Sequence, residues 1–364
     1  DKTKISWSDR VSNYCRKNKE VKFDTTKVTL CLYRPYSKAQ LYYDSAFNER
    51  HSQLEKIFLA ESGERRASAE FALQKFENIG IITSGIGNAD FSALINNQIS
   101  DLQCFMNGQI FPLYYYEKKE KAKTATNLFE AFEPKAEPAL FEDKFVYERK
   151  DAIRDWALAE FRRVYKDDKI NKEDIFYYIY GLFHSKDYKS RYADNLSKML
   201  PRIPYCKDFW SFSRAGRELG SIHLNYETEN LNQVAKAIKL SERDSGMFAT
   251  DLSELEARDF RVIKMKFAKK GSKPNKSVIE FNSKIAVIDI PKEAYKYVVN
   301  GKSAIEWIME RYQIKTDKDS GIVNDPNLFS DDPRYILNLL LKVIEVSVKS
   351  VKIIDNLPKM DFID

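Results

Sequence analysis

The chain has 364 residues, of which 43% are hydrophobic and 31% are charged, a composition typical of a globular protein with a large hydrophobic core. Its 60 basic and 54 acidic residues give a net charge of +6, which permits a polyanionic partner but does not require one. Four widely spaced cysteines argue against a zinc knuckle or a disulfide scaffold, and no apolar run is long enough to span a membrane. We therefore expect a cytoplasmic protein with reduced thiols.

Residues 1–120 are predicted to form a mixed, mostly β unit. A strand is expected from Lys27, where hydrophobic residues alternate, and its hairpin partner is expected after Pro35. Further strands are predicted in NIGIITSG, ALINNQISDL and QIFPLYYY, whereas the polar segment 52–76 is a candidate helix.

Residues 121–258 are predicted to be mainly helical, after a charged surface connection that starts at Glu117 with EKKEKAK. Hydrophobic residues recur at helical spacing in DAIRDWALAEFRRVY, in NKEDIFYYIYGLF and in NLNQVAKAIKL. Asn171 with Asp174 offers an N-cap signal for the central helix. From Lys207 onward, aromatic residues alternate with cations, a mixture that fits a protein core, a nucleic-acid surface or both.

Residues 259–364 are predicted to hold a small antiparallel sheet followed by helices. RVIKMKFA, SVIEFN and KIAVIDI are typical of strands, with Gly271 and Pro274 marking a hairpin turn. Pro291 suits the first residue of a helix, and two more helices are predicted in SAIEWIMERYQI and in RYILNLLLKVIEVSVKSVKII. Together, the three regions predict an α+β fold: a mostly β unit, a central helical layer, and a small sheet with helices.

No catalytic motif is present in the sequence. SGIGNAD, which begins at Ser84, lacks the third glycine and the downstream acid of a dinucleotide site, and the D/N/S-P-P-Y/F tetrapeptide of amino-methyltransferases is missing. The three histidines are far apart and favour structural roles over metal or base roles. Asp331 and Asp332 fit a helix start better than a nuclease centre, and Asp317 and Asp319 lack the other residues of one.

Sequence-specific DNA recognition requires cations that bind phosphates and polar side chains that contact base edges. The sequence offers four sets of candidates for these tasks, although a solvated surface is the usual place for any one Lys or Arg. The sets are Arg34, Lys38 and Arg50 near the first hairpin; Ser84 and Asn88 in the glycine loop; Arg202, Lys207, Arg214 and Arg217 in the aromatic segment; and Lys302, Lys315, Lys318 and Asn324 near the C-terminal helices.

Several stretches resemble a known family. Residues 175–227 and 298–327 resemble the C-terminal specificity region of Type ISP restriction-modification enzymes. Residues 32–44, followed by NIGIITSG and by residues 109–118, are similar to the target-recognition part of single-chain restriction-methyltransferases. In that family, one polypeptide carries a nuclease, a helicase-like ATPase, an adenine methyltransferase and, last, a DNA target-recognition domain. The resemblance implies that this chain is only the last piece.

The resemblance further implies a noncatalytic module that binds double-stranded DNA and docks against the methyltransferase domain upstream in the same polypeptide. No cofactor is expected in this chain, whereas S-adenosylmethionine, ATP and Mg²⁺ are expected in the upstream domains. Two alternatives stay open at this point. The chain could include part of the methyltransferase and bind S-adenosylmethionine, or it could couple the motor to the methyltransferase without reading DNA.

Overall fold

The computed structural model describes residues 8–44, 46–48, 54–61, 73–87, 90–120, 145–228, 234–239, 252–318 and 321–363. The α-helices within these ranges are α1 Asp9–Arg16, α2 Asp155–Tyr165, α3 Lys172–His184, α4 Lys186–Arg191, α5 Ala193–Leu196, α6 Phe209–Leu224, α7 Ala304–Arg311 and α8 Tyr335–Asp355. The strands are β1 Val28–Arg34, β2 Ser37–Tyr42, β3 Leu59–Glu61, β4 Leu73–Lys75, β5 Gly80–Thr83, β6 Ala93–Asn96, β7 Ile99–Ser100, β8 Gln109–Pro112, β9 Tyr114–Glu120, β10 Phe145–Asp151, β11 Lys236–Lys239, β12 Lys266–Lys270, β13 Lys273–Glu280, β14 Ile285–Ile288, β15 Val298–Val299, β16 Lys302–Ser303, β17 Lys315–Thr316 and β18 Val323–Asn324. The α+β class is confirmed.

The N-terminal region forms several small sheets. β1 pairs antiparallel with β2 and parallel with β7, and β5 lies between β6 and β8, so the predicted hairpin and strands are confirmed. The candidate helix at 52–76 is wrong at 59–61 and 73–75, where β3 and β4 pair. Leu54–Lys56 form one turn of 3-10 helix, and residues 62–72 lie outside the described residues. Leu59 of β3 is buried in one cluster with Ile57 and Phe58, and this tertiary burial outweighs a polar, helix-compatible sequence.

The structure also differs from the prediction at the charged run that starts at Glu117. The structure extends β9 through Glu117 to Glu120 and pairs it with β10, a strand that the sequence analysis did not predict. Opposite charges support the pairing, since Glu148 on β10 forms ion pairs with Lys119 on β9 and with Lys150, the latter at 2.6 Å. Hydrogen bonds from these two lysines lower the pKa of the Glu148 carboxyl to about 2. Residues 117–120 therefore belong to a solvated strand face and not to a loop, whereas the rest of the run, 121–123, lies outside the described residues.

Helices α2 to α6 form what we call the helical layer, with α3 and α6 at its centre. α3 begins with the predicted cap, because the side chains of Asn171 and Asp174 each accept a hydrogen bond from the other's backbone N–H. Close contact between α3 and α6 requires glycine: a Cβ at Gly216 would lie 1.8 Å from the carbonyl oxygen of Tyr177. The aromatic residues around this contact are mostly buried, so the aromatic segment contributes chiefly to the core.

The segment NLNQVAKAIKL was predicted to be helical, and this is wrong where the structure describes it, at β11. β11 is an edge of a four-stranded antiparallel sheet in the order β11-β14-β13-β12. Ile238 of β11 is fully buried against Ala286 and Ile288, so the ladder with β14 stabilises an extended backbone. The predicted C-terminal sheet itself is confirmed, with a turn at Gly271 whose φ is +63°.

Helix α8 is the element on which the regions meet. Of its 21 residues, 12 are buried. Its apolar residues share one core with the C-terminal sheet, α7 and residues of the N-terminal hairpin, while a second core unites β5 and β6 with the helical layer. The segment after Pro291 is a 3-10 helix, Lys292–Lys296, in which Pro291 is the cap and not the first helical residue. No helix in the described ranges is long and apolar enough to span a membrane.

Candidate nucleic-acid interface

An open groove of about 1030 Å³ separates the β1–β2 hairpin from the short β17–β18 hairpin. We call it the hairpin groove. Its polar lining residues on the two hairpins include Tyr33, Lys38, Gln40, Lys315, Lys318 and Asn324. The groove therefore joins two parts of the chain that are almost 300 residues apart in sequence.

The first wall of the groove, the β1–β2 hairpin, is fixed by a turn residue with an unusual backbone conformation. Tyr36 follows Pro35 with a φ of +57°, a left-handed conformation that costs a residue with a side chain about 1 kcal/mol. Contacts of the buried Tyr36 side chain offset this cost. Its hydroxyl lies 3.0 Å from that of Tyr297, and its ring packs edge-on against Tyr226 with centroids 5.1 Å apart. The turn is thus held against the protein core. The strand after it presents its polar side chains to the groove.

The second wall of the groove, the β17–β18 hairpin, is anchored by backbone hydrogen bonds. The Ile314 N–H donates to the carbonyl oxygen of Ile263 at 2.9 Å, and the Asp317 N–H donates to that of Ile322 at 2.9 Å. β17 and β18 place Lys315 directly opposite Asn324. Both side chains are exposed, so they are available to a molecule in the groove.

Two of the three described carboxylates that line the groove, Asp325 and Glu310, form ion pairs with basic residues. Burial raises the pKa of Asp325, but hydrogen bonds from Asn327 and the ion pair with Arg261 outweigh it, so the pKa is lowered. Glu310 likewise has a lowered pKa, because ion pairs with Lys302 and Arg311 outweigh its burial. These acids therefore remain ionised and neutralised by basic partners.

The lysines of the second wall differ from these acids. Lys315 and Lys318 have no carboxylate within ion-pair distance among the residues that the structure describes. The groove as a whole is only slightly positive, since the lining cations Lys38 and Arg311 are also paired with carboxylates. Its chemistry is therefore that of a polar cleft with exposed amides and two ammonium groups that have no ion-pair partner among the described residues.

The structure brings four of the sequence-predicted candidates together in the hairpin groove: Lys38, Lys315, Lys318 and Asn324. Lys38 forms an ion pair with Glu227, and its ammonium lies 5.3 Å from the centroid of the Tyr226 ring. Arg50 and Asn88 lie outside the described residues.

The remaining candidates lie outside the hairpin groove, and most of them have protein partners. Arg202 is exposed, and its carbonyl oxygen accepts a hydrogen bond from the Tyr188 hydroxyl. The partners of the others are Asp101 for Arg34 at 2.9 Å, the Ser92 N–H for the Ser84 hydroxyl at 2.9 Å, Asp361 for Lys207 at 3.1 Å, the Ser211 hydroxyl for Arg214 at 3.1 Å, Glu173 and Asp174 for Arg217 at 2.6 and 3.1 Å, and Glu310 for Lys302.

Sequence reasoning missed two features of this surface. Gln40 is exposed on the first wall, and strand alternation with Lys38 was the signal that could have found it. Residues 260–279 contain seven Lys and Arg and no acidic residue, a charge run that the strand pattern obscured.

The buried histidines have structural partners. The Tyr180 hydroxyl lies 2.6 Å from Nδ1 of His223, whose Nε2 lies 2.8 Å from the Ser350 hydroxyl. Burial lowers the pKa of both His223 and His184, that of His184 to about 3, so both are neutral near pH 7. Within the described ranges, no group of His, Cys, Asp and Glu side chains is arranged to hold a metal ion.

Comparison with solved structures identifies similar folds in larger enzymes. The chain is similar to the ATP-dependent Type ISP restriction-modification enzyme LlaBIII bound to DNA, with 34% identity and a TM-score of 0.76, over 98% of this chain and 20% of that one. It is also similar to a nuclease-deletion mutant of the Type ISP enzyme LlaGI in complex with a DNA substrate mimic, with 33% identity and a TM-score of 0.73, over 100% of this chain and 28% of that one. The DrdV–DNA complex shares the fold, with a TM-score of 0.74 and 24% identity, over 98% of this chain and 31% of that one.

This chain therefore spans less than a third of the length of each of these enzymes. A comparison with curated proteins gives no match. The family model described as the Type ISP C-terminal specificity domain matches residues 1–339, nearly the whole chain. The chain belongs to the family of Type ISP C-terminal specificity domains.

Proposed function

We propose that this chain recognises a short double-stranded DNA sequence as the specificity domain of a restriction-modification enzyme. The observation that carries the proposal is the hairpin groove, in which Lys38, Lys315, Lys318 and Asn324 line one open cleft of a chain from a specificity-domain family. Two similar Type ISP enzymes were solved with DNA or a DNA substrate mimic, which supports the same partner here.

The groove divides naturally into phosphate-binding and base-contacting side chains. Lys315 and Lys318 bind phosphates, because their ammonium groups have no carboxylate partner among the described residues. Gln40 and Asn324 contact base edges from opposite walls, since an exposed amide offers the donor and acceptor pair that matches adenine in the major groove.

The chain acts together with domains that precede it in a longer polypeptide. It holds the duplex in register while an upstream adenine methyltransferase flips the target base out of the stack. S-adenosylmethionine, ATP and Mg²⁺ bind to those upstream domains and not to this chain. The enzyme acts in the cytoplasm, where its DNA substrate is found.

The experiment that tests this proposal is methylation-site mapping in cells that carry the full-length polypeptide. Residues 1–364 are exchanged for the corresponding region of a relative, and modified sequences are mapped before and after the exchange. We expect the methylated sequence to change with the exchanged segment. If the site stays the same and only the extent of methylation changes, this chain is a structural coupler and the proposal is wrong.

Single substitutions refine the assignment within the groove. We expect Asn324→Ala to relax the methylated sequence at one base pair and to weaken binding to the original site by about 1–3 kcal/mol. Asn195→Ala, at an exposed amide of the helical layer, is the matched control and should leave the site unchanged. An Asn324→Ala variant that loses affinity equally on every sequence would contradict base contact by this residue.

A further inference from the structure

The C-terminal sheet extends a basic two-stranded ribbon beyond the hairpin groove. Residues 260–279 carry seven cations and no acid, so this stretch alone has more positive charge than the chain's net charge of +6. β12 and β13 pair along the ribbon, whereas β14 pairs only with Ile279 and Glu280 at its base. We call the part beyond this base, residues 264–276, the lysine arm.

The base of the lysine arm is held in place by paired cations. Lys266 forms an ion pair with Glu280 at 3.1 Å, and Lys276 forms one with Glu306 of α7 at 2.9 Å. The Lys276 ammonium also lies 5.1 Å from the centroid of the Tyr295 ring. These contacts orient the ribbon at its base.

The tip of the arm is different, because its lysines have no such partners. Lys269, Lys270 and Lys273 are exposed, and no carboxylate of the described residues lies within ion-pair distance of them. The tight turn at Gly271 places Lys270 directly opposite Lys273. Like charges opposite each other destabilise a strand pair, so this arrangement becomes favourable when an anion lies between or beside them.

The arm starts at the edge of the hairpin groove. Ile263, just before the arm, accepts the backbone hydrogen bond from Ile314, the neighbour of Lys315. The five residues of β12 span about 16 Å at ~3.3 Å per residue, which corresponds to roughly 5 base pairs along a duplex. An arm of this length reaches phosphates beyond the bases that occupy the groove.

The composition of the arm suits phosphates better than bases. Lysine is a compact point charge that suits phosphate oxygens. The amide oxygen of Asn275, the one amide residue of the arm, is already bonded to the N–H and hydroxyl of Ser277, at 3.1 and 2.7 Å. Lysines on an open strand edge also discourage unwanted strand pairing, a role that predicts no effect of these lysines on DNA affinity.

We propose that the lysine arm binds the phosphate backbone on one flank of the DNA sequence recognised in the hairpin groove, without contacting the bases. This inference rests on the proposed function. It separates two tasks: the groove selects the sequence, and the arm supplies affinity that is independent of sequence and sensitive to salt.

The test uses the full-length polypeptide without ATP and a triple variant, K269S/K270S/K273S. The control is K186S/K198S/K207S, which removes the same charge from exposed lysines of the helical layer. Binding is measured over a series of salt concentrations on duplexes that carry the mapped methylation sequence or a scrambled one. Each duplex is also prepared with either flank shortened from about ten base pairs to about two.

We expect the triple variant to bind about tenfold or more weakly at low salt, by the same factor on both sequences, with a log–log salt slope shallower by about 2–3. The defect should disappear when one particular flank is shortened, and the control should bind like the unmodified protein. The proposal is overturned if the triple variant behaves like the control, or if it loses sequence preference. If the unmodified protein shows no sequence preference, the proposed function fails instead.

Discussion

Several cations of the helical layer form ion pairs, whereas several of those on what we call the C-terminal face, formed by the β17–β18 hairpin and the lysine arm, form none among the described residues. In the helical layer, Arg217 forms ion pairs with Glu173 and Asp174. Just before α6, Lys207 forms an ion pair with Asp361. On the C-terminal face, the lysines of the groove wall and of the arm tip have no carboxylate partner in the part of the chain that the structure describes; they are Lys269, Lys270, Lys273, Lys315 and Lys318. The number of basic residues is thus a poor guide to a DNA surface, because a cation that is paired with a carboxylate is less available to a phosphate.

The two regions also differ in how tightly they are packed. The helical layer brings two helix backbones into direct contact at glycines, and its aromatic rings are mostly buried. The arm is largely exposed and rests on a few contacts at its base. We therefore expect substitutions in the helical layer to change stability, and substitutions on the C-terminal face to change DNA binding.

The largest expected effect is that of Gly216→Ala. A Cβ there would lie 1.8 Å from the carbonyl oxygen of Tyr177, so α3 and α6 must move apart. We expect a loss of about 3 kcal/mol in the free energy of unfolding, measured by urea denaturation. Ser221→Ala, at an exposed position of the same helix, should change it by less than about 0.5 kcal/mol. Equal stability of the two variants would show that the helix contact is not rigid.

A second effect concerns pH and the buried His184. Its pKa is lowered by burial to about 3, whereas an unfolded histidine has a pKa of about 6.5. Below pH 6.5, the unfolded state therefore binds a proton that the folded state does not, and stability falls as the pH falls toward 3. Between about pH 6.5 and 5, we expect the unmodified protein to lose about 1.6 kcal/mol more than His184→Gln. Parallel stability curves would show that His184 is not the neutral, buried group described above.

The smallest expected effect tests the comparison between unpaired and paired cations directly. K315Q/K318Q should weaken DNA binding at low salt by about tenfold, roughly 1.4 kcal/mol, with no change in the urea midpoint. The matched control K207Q/R217Q should leave DNA binding unchanged and lower stability by up to about 1 kcal/mol, because both removed cations are half exposed and pair with carboxylates. If both double variants lose DNA affinity equally, the distinction between paired and unpaired cations does not identify the DNA surface.

Local patterns predicted the strongly periodic elements well. The cap at Asn171 and Asp174, the final helix after Pro333 and the turn at Gly271 were all predicted correctly, because each depends on residues only a few positions apart. The errors occurred at β3, β4, β10 and β11, where pairing with a distant strand or burial against distant side chains determines the backbone. The division into regions 1–120, 121–258 and 259–364 stays a prediction, and both main cores draw residues from more than one of them.

The candidate DNA surface, like the fold, was predicted from the sequence only in part. The sequence alone determined the family, through long stretches such as 175–227, and it contained Lys38, Lys315, Lys318 and Asn324 among its candidates. Only the tertiary structure decided that these four line one groove and that Arg34, Lys207 and Arg217 are paired with carboxylates instead. The physical reason is that the charge available to a ligand depends on the distance to the nearest carboxylate, and that distance is set by folding across hundreds of residues.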